Sequence, residues 1–189
     1  MQTSHLIITS SRRPTRSMRT LMRDLHTVIP NSYRTNRGKM GIKDLAELAL
    51  NLKAKHVLVV NRWKGGPGKI EFYRVLKDKL EPIPPILYVK GVRLQREYKI
   101  FWRKLRIRCR SLAIVQPKDV EFKKLAEVLS KVFNAPIVSE GEKENFQVYV
   151  RIFKDLNQRT KITFFSSLHK QEIGPSLYLR KVVGFEEEV

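Results

Sequence analysis

Hydrophobic and polar positions change their spacing along the chain, and each change predicts where a strand gives way to a helix. The run Leu6-Ile7-Ile8-Thr9 is continuous and apolar, as in a short buried strand. Six apolar residues then recur at the spacing of one helical face: Met18, Leu21, Met22, Leu25, Val28 and Ile29. Pro30-Asn31 ends this helix because proline cannot continue it. The pattern therefore predicts a strand followed by an amphipathic helix.

The rest of the first half adds one helix and three strands. A basic loop is predicted over residues 32–41 and a second helix over 42–53, with Ile42 among its inward-facing positions. Strands are predicted at 56–61, 70–75 and 86–94. The glycine-rich turn at 64–68 joins the first two of these strands, so we expect an antiparallel hairpin over 57–75.

Residues 93–110 fit two patterns, and the sequence leaves both open. Tyr98 and Phe101 are spaced as on one face of a helix. Ile107 and Cys109 alternate with basic residues, which is typical of a strand. The segment is therefore either a helix or a strand.

The second half begins its regular structure with a strand at 111–116. Asp119 then caps a third helix. Its inward positions are Phe122, Leu125, Ala126, Leu129, Val132 and Phe133. Three further strands are predicted at 146–153, 160–165 and 177–183.

The two halves repeat one pattern. The apolar spacing of the first helix, from Met18, recurs in the third helix from Phe122. The hairpin at 57–75 likewise corresponds to 148–166, where Ile162-Thr163-Phe164-Phe165 occupies the place of Ile70-Glu71-Phe72-Tyr73. The helix at 42–53 has no counterpart.

This repetition predicts a single domain over residues 1–189 with two similar halves, about 1–94 and 95–189, that arose by internal duplication. Each half is expected to be a β-α-β-β-β unit, and the first carries the extra helix. Helices alternating with partly antiparallel strands indicate an α/β fold with layered mixed sheets.

Composition narrows the class of protein. The 189 residues include 42 % hydrophobic residues, enough for a packed core. Cys109 is the only cysteine, which excludes a disulfide framework and a cysteine-based zinc site. We find neither a bilayer-length apolar run nor a signal-peptide pattern. We therefore expect a soluble protein of a reducing compartment, located in the cytoplasm, or in the nucleolus if the source is eukaryotic.

The charge points to a polyanionic partner. Lys and Arg number 38 against 18 acidic residues, a formal net charge of +20. Within residues 12–39 the only acid is Asp24, and within 93–110 it is Glu97. A solubilising surface of the thermophilic type would interleave both signs. Segregated positive charge favours nucleic-acid binding, since phosphate neutralisation provides most of the non-specific affinity.

The sequence shows no catalytic constellation. The turn at 64–69 lacks the Ser or Thr and the following helix of a phosphate-binding loop. The four histidines are scattered, and the carboxylates show no pairing for acid–base or metal chemistry. We expect no enzyme activity, no cofactor and no metal. Cys109 among arginines could have a lowered pKa, but a buried apolar role fits it better.

Two basic loops precede predicted helices and suit a phosphate backbone. Residues 10–16 combine hydroxyls, arginines and helix N–H donors, and Asn36-Arg37-Gly38-Lys39 precedes the second helix. The alternative is a solvated loop in which the arginines pair with local acids. Trp63 and Trp102 lie beside basic residues and could stack on bases, although packing against the core or a sheet edge is the simpler role.

Five stretches resemble the Brix-domain family. They are 7–14, Pro30-Asn31-Ser32, Asn36-Arg37-Gly38-Lys39, Val59-Val60-Asn61 and the C-terminal 172–180, which resembles the sigma-70-like motif of the family. The similarity covers almost the whole chain, and the lack of charged extensions resembles the compact archaeal type. One departure is Pro84-Pro85-Ile86, where the family usually has Gly-Pro-Thr.

The resemblance implies a role in ribosome biogenesis, with ribosomal RNA or its precursor as partner, along with ribosome assembly proteins. It implies neither a membrane nor a small-molecule substrate. It also implies two halves that each resemble the anticodon-binding domain of class II aminoacyl-tRNA synthetases. The RNA-binding residues it indicates, together with the basic clusters, are Arg12, Arg13, Arg16, Arg19, Arg34, Arg37, Lys39, Arg180 and Lys181.

Three functions are weighed. The first is a non-catalytic factor that binds ribosomal RNA and assists its processing and subunit assembly. The second is a protein-interaction scaffold without sequence-specific RNA contact, in which the strand at 177–183 lies at a sheet edge and accepts a partner strand. The third, an RNA-modifying or RNA-cleaving enzyme, is disfavoured by the absence of paired acids.

Overall fold

The structure is a computed structural model that describes residues 4–77, 79–98 and 108–185. The elements of the first half are β1 (Leu6–Ser10), α1 (Arg16–Val28), β2 (Ser32–Arg34), α2 (Ile42–Asn51), β3 (His56–Trp63), β4 (Gly66–Val75) and β5 (Leu80–Arg93). Those of the second half are β6 (Leu112–Val115), α3 (Lys123–Phe133), β7 (Ile137–Val138), β8 (Val148–Lys154), β9 (Thr160–Ser166) and β10 (Gln171–Val183). Short 3₁₀ helices lie at Gln95–Glu97, Val120–Phe122 and Glu142–Asn145.

The ten strands of the described residues form one mixed sheet in the order β2-β1-β3-β4-β5-β10-β9-β8-β6-β7. β1 runs parallel to β2 and β3, and β6 runs parallel to β7 and β8, while the central strands are antiparallel. The antiparallel pair β5–β10 joins the halves. The mixed α/β class is confirmed. The prediction that residues 177–183 form a sheet edge is wrong for 177–179, which pair with both β5 and β9, whereas 181–183 pair with β5 alone.

Strand order and register are alike in the two halves. Val57 lies opposite Tyr73 as Tyr149 lies opposite Phe165. The sheet edge is β2 in one half and β7 in the other. The bonds Pro84–Pro85 and Gly174–Pro175 are both cis. The duplication itself and the likeness to an anticodon-binding domain stay predictions.

Helices α1 and α3 share one face of the sheet and one core. Leu25 of α1 and Leu129 of α3 belong to the same buried cluster as Phe72 and Phe164 of the strands. Every apolar position predicted for these two helices is buried. Helix α2 packs on the opposite face, where Leu45 and its neighbours cover the first strands. In the described part of the chain, no α-helix covers that face of the second half, although Lys143 of the 3₁₀ helix Glu142–Asn145 lies over Tyr149 there.

Several local predictions need correction. Ile42 is 44 % exposed, because it is the first residue of α2 and extends beyond the strands that α2 covers. Asp119 makes no side-chain cap, since a 3₁₀ turn intervenes and α3 begins at Lys123. The predicted loop at 32–41 contains β2, and β7 was missed because two residues show no periodicity.

The ambiguous segment 93–110 is only partly described. β5 ends at Arg93, and a 3₁₀ turn follows at Gln95–Glu97. Residues 99–107, with Trp102, lie outside the described residues. Cys109 is buried, as predicted. Burial raises the pKa of its thiol to about 12, against the opposing hydrogen bond to the Ser111 carbonyl. This thiol is therefore not a nucleophile.

Candidate nucleic-acid interface

The loop between β1 and α1 is anchored at both ends. The Ser11 N–H donates to the carbonyl of Val60 at 2.9 Å, and the Ser11 hydroxyl accepts from the Arg62 N–H at 3.2 Å. Thr15 caps α1, its hydroxyl accepting from the Met18 N–H at 3.4 Å. Arg12 and Arg13 are therefore exposed on a backbone that is already fixed. Such preorganisation lowers the ordering cost of binding.

Helix α1 exposes a stripe of arginine. Burial of one face of the helix leaves Arg16, Arg19 and Arg23 together on the other face. Arg34 of β2 closes the other side of a cleft of about 420 Å³, with Thr20 at its base. The Arg19 side chain is held by a 2.7 Å hydrogen bond to the Pro14 carbonyl. Two elements thus bring four guanidinium groups to one concave surface.

This surface has little negative charge near it. No carboxylate of the described residues forms a salt bridge with Arg12, Arg16 or Arg34. Asp24, the one acid of this segment, is fully buried and accepts from the Gln95 N–H at 3.0 Å. Excess positive charge on a concave surface attracts phosphate groups.

His26 lies in the same region of positive electrostatic potential. Burial, followed by the charges of Arg108 and Arg34, lowers its pKa to about 4. Its Nδ1 lies 3.0 Å from the Ser32 hydroxyl. The imidazole is therefore neutral near pH 7 beside a cluster of fixed cations.

The second basic loop does not behave as one unit. Arg37 is only 9 % exposed, and its Nε donates to the Met40 carbonyl at 3.0 Å. Lys39, two residues on, is exposed. Arg37 therefore holds the loop together, and Lys39 is the cation that a ligand can reach.

Arg180 and Lys181 lie on a different surface. Both are exposed on β10, between Leu179 and Val182, which pack against the core that contains α1. The sheet therefore separates them from the arginines of α1. Of the predicted residues, the structure brings Arg16, Arg19 and Arg34 to one cleft, with Arg12 and Arg13 exposed in the loop before α1, and leaves Arg180 and Lys181 apart.

The C-terminal motif builds a polar junction. Glu172 Oε1 accepts from the hydroxyls of Tyr98 at 2.9 Å and Thr163 at 2.7 Å. It also accepts from the Ser176 hydroxyl at 2.6 Å and pairs with Lys161 Nζ at 2.7 Å. Burial raises the pKa of Glu172, but the four hydrogen bonds outweigh it and hold the pKa below its ordinary value.

Gly174 lies at the centre of this junction. Its φ of +65° is a left-handed conformation, and a Cβ here would meet the Tyr98 ring at 2.4 Å. The motif residues around it therefore hold β10 to the segment that follows β5.

Two site features escaped the sequence predictions. Arg23 and Thr20 were not among the predicted contacts, although the three- and four-residue spacing from Arg16 would have found them. Trp63 is 60 % exposed at the β3–β4 turn, so the expected packing is wrong for this residue. A turn of only two residues leaves the ring beyond the end of the sheet.

Two observations concern other kinds of site. Among the described residues, no three His, Cys, Asp or Glu side chains lie close enough to hold a metal ion. No helix in the described ranges is both long and apolar enough to span a bilayer.

Comparison with known proteins shows similarity to archaeal proteins. A probable Brix domain-containing ribosomal biogenesis protein from Pyrococcus horikoshii is 33 % identical over 153 residues, covering 80 % of this chain and 68 % of that protein. A relative of the same description from Thermococcus kodakarensis is 41 % identical over 92 residues, or 49 % of this chain and 44 % of the relative.

Structural similarity extends further along the chain. The crystal structure of a probable ribosomal biogenesis protein from Aeropyrum pernix superposes with a TM-score of 0.74 at 27 % identity, covering 93 % of this chain and 95 % of that one. No family model matches the sequence.

Proposed function

Because the chain belongs to the family of Brix domain-containing ribosomal biogenesis proteins, we propose that it is a non-catalytic assembly factor that binds ribosomal RNA or its precursor. It assists the processing of that RNA and the assembly of a subunit. The observation that carries the proposal is the cleft of Arg16, Arg19, Arg23 and Arg34, with Arg12 and Arg13 exposed in the loop that leads into α1.

The arginines would bind the phosphate backbone of the RNA. Guanidinium groups donate paired hydrogen bonds to phosphate oxygens, and a fixed cluster recognises the spacing of phosphates in a folded strand. Double-stranded RNA is read mainly by shape and backbone, because side chains cannot read its deep major groove. The interface therefore needs no sequence readout.

The test is charge reversal at the anchored loop. Arg12→Glu, Arg13→Glu and Arg16→Glu together should weaken binding to structured ribosomal RNA at least tenfold, because phosphate attraction becomes repulsion. The matched control is Lys118→Glu, Lys123→Glu and Lys131→Glu, the same charge change at exposed lysines on and before α3. Filter binding at fixed salt measures both, and equal losses would contradict the proposal.

A second candidate function is a protein-interaction scaffold. It is supported by a cleft of about 700 Å³ whose lining includes Val115, Tyr149 and Phe165, on the sheet face that α2 covers in the first half. A purified assembly protein that stays bound after nuclease digestion would favour this function. If nuclease digestion of the RNA releases every bound assembly protein, the result would count against this function.

We also propose that the halves arose by duplication. Equal strand order and the paired positions Val57–Tyr73 and Tyr149–Phe165 support it. Backbone superposition of β1–β5 on β6–β10 should align these pairs, and a superposition that shifts their register would contradict it.

A further inference from the structure

The outward face of the central strands is only partly covered. On β5 and β10, Leu87 and Leu177 point into the core, and their neighbours Tyr88 and Tyr178 lie on the other side of the sheet. α2 covers this outward face near Leu80, at the start of β5, and Tyr98 covers it at Ser176. Between these two places, Tyr88 is exposed and Tyr178 is half-buried.

Two tyrosines occupy equivalent places on this face, each beside a lysine. Tyr88 lies opposite Lys69 of β4, and Tyr178 lies opposite Lys161 of β9. Tyr88 is 39 % exposed, and no cation of the described residues lies over its ring. The ring of Tyr178 has two cations over it: the Arg159 guanidinium is 4.8 Å from its centroid and Lys161 Nζ is 5.4 Å from it. The planar guanidinium is itself a group on which a base can stack.

The space above Tyr178 is open on the side of β5. Tyr178 pairs with Gly91, and a Cβ added at Gly91 would meet nothing within 4 Å. Tyr88 pairs with Lys181, three residues along β5 from Gly91. With a rise of about 3.3 Å per residue, the two rings are offset by about 10 Å along the strands. They would hold two bases that are not direct neighbours.

Three more cations surround the tyrosines. Lys90, Arg180 and Lys181 are exposed, and the β5–β10 register shifts beside them. Lys69 and Lys161 are paired with Glu71 and Glu172. None of the three exposed cations has an ion-pair partner among the described residues. The face therefore carries free positive charge around aromatic rings.

We propose that this face, Tyr88 and Tyr178 with Lys90, Arg180 and Lys181, binds a single-stranded segment of RNA. Bases stack on the tyrosine rings, and the cations contact the phosphates between them. The inference rests on the proposed RNA binding for its class of ligand, but it uses the opposite side of the sheet from the arginines of α1. A protein partner fits less well, because the aliphatic side chains of these strands face the core.

The test distinguishes base stacking on the rings from the apolar volume of the side chains, and binding of single-stranded RNA from binding of a duplex. Tyr88→Leu with Tyr178→Leu keeps apolar volume but removes the rings, whereas Tyr88→Phe with Tyr178→Phe keeps the rings. The probes are a fluorescein-labelled oligouridylate of about 12 nucleotides and a blunt RNA duplex of about 16 base pairs. Fluorescence anisotropy gives both affinities, and circular dichroism checks that each variant is folded.

The Leu pair should weaken oligouridylate binding at least tenfold, and the Phe pair should stay within twofold of the wild type. Neither pair should change duplex binding. Unchanged oligouridylate affinity in the Leu pair would overturn the inference and leave the face to a protein partner. Equal losses in the Leu and Phe pairs would overturn it too, by assigning the contact to the hydroxyls.

The failure of this inference is distinguishable from that of the proposed function. If the wild type binds the duplex through the α1 arginines but does not bind oligouridylate, only the stacking face is refuted. If the wild type binds neither probe, the proposed RNA binding fails as well.

Discussion

Helices α1 and α3 bury similar apolar stripes in one core but expose different charges. The exposed side of α1 carries Arg16, Arg19 and Arg23, with no acid among them, whereas α3 places Glu127 among its lysines. The burial of each stripe fixes the helix, so the exposed side is free to differ. Similar packing in the two halves therefore supports two different surfaces.

The ion pairs follow the same division. In the second half, six described cations each pair with a carboxylate: Lys143, Arg151, Lys154, Arg159, Lys161 and Lys170. In the first half the described pairs are those of Lys69 and Arg74, both on β4. The second half thus uses its charges largely within the fold, while Arg16, Arg19 and Arg34 form no ion pair among the described residues. Net charge alone does not reveal this difference.

The largest expected effect is on the folding of the second half. Gly174→Ala should reduce the free energy of unfolding by about 3 kcal/mol, because a Cβ meets the Tyr98 ring and φ is left-handed. Gly141→Ala is the control, since nothing lies within 4 Å of its added Cβ. Urea unfolding measures both, and a Gly174→Ala chain as stable as the control would show that Tyr98 moves aside freely.

A smaller loss of stability is expected where an ion pair is broken. Lys161→Met leaves the half-buried Glu172 without its cation and should reduce the free energy of unfolding by about 2 kcal/mol, less than for a fully buried pair. Arg34→Met in the first half should leave the unfolding free energy nearly unchanged. Equal losses from the two substitutions would remove the distinction between the halves.

The next effect is on the pH dependence of stability. The pKa of His26 is about 4 in the folded chain and 6.5 as its ordinary value, so the unfolded chain takes up the proton first. The contribution of His26 to the free energy of unfolding is therefore fully present above pH 6.5, and it is lost as the pH falls towards 4.

Arg34→Gln should make this fall shallower, because one of the cations that lower the pKa of His26 is removed. Arg180→Gln, a control of equal charge on the other side of the sheet, should not. Urea midpoints at pH 7 and pH 4.5 measure the difference, and identical profiles for the two variants would show that Arg34 exerts no field at His26.

The smallest expected effect concerns RNA binding by the paired cations. Arg151→Gln and Lys154→Gln should change RNA affinity less than twofold, because their charges are already neutralised by Glu140 and Glu121. Filter binding against the wild type measures the affinity. A tenfold loss would show that RNA contacts cations already paired within the fold.

Much of the fold was predictable because burial imposes regular spacing. The stripes from Met18 and from Phe122 predicted α1 and α3 correctly, and the hairpin followed from its glycine turn. Neither the central place of β10 nor the burial of Arg37 could be predicted in this way, because both depend on contacts between distant segments.

The sequence predicts which segment carries the basic residues of the site, but not how their side chains are arranged. Clustered arginine identified the segment around α1, yet only the structure shows Arg34 completing the cleft and Arg37 turned onto its own loop. The sequence does not place Tyr88 and Tyr178 on one face, because strand pairing, not spacing, brings them there.

The most direct test is the salt dependence of RNA affinity in two triple variants of equal charge change. Arg16→Gln, Arg19→Gln and Arg34→Gln remove available cations, and Arg151→Gln, Lys154→Gln and Lys170→Gln remove paired ones. We predict that the slope of log affinity against log salt falls by about 2 to 3 in the first triple and stays unchanged in the second. Equal slopes in the two triples would contradict the account.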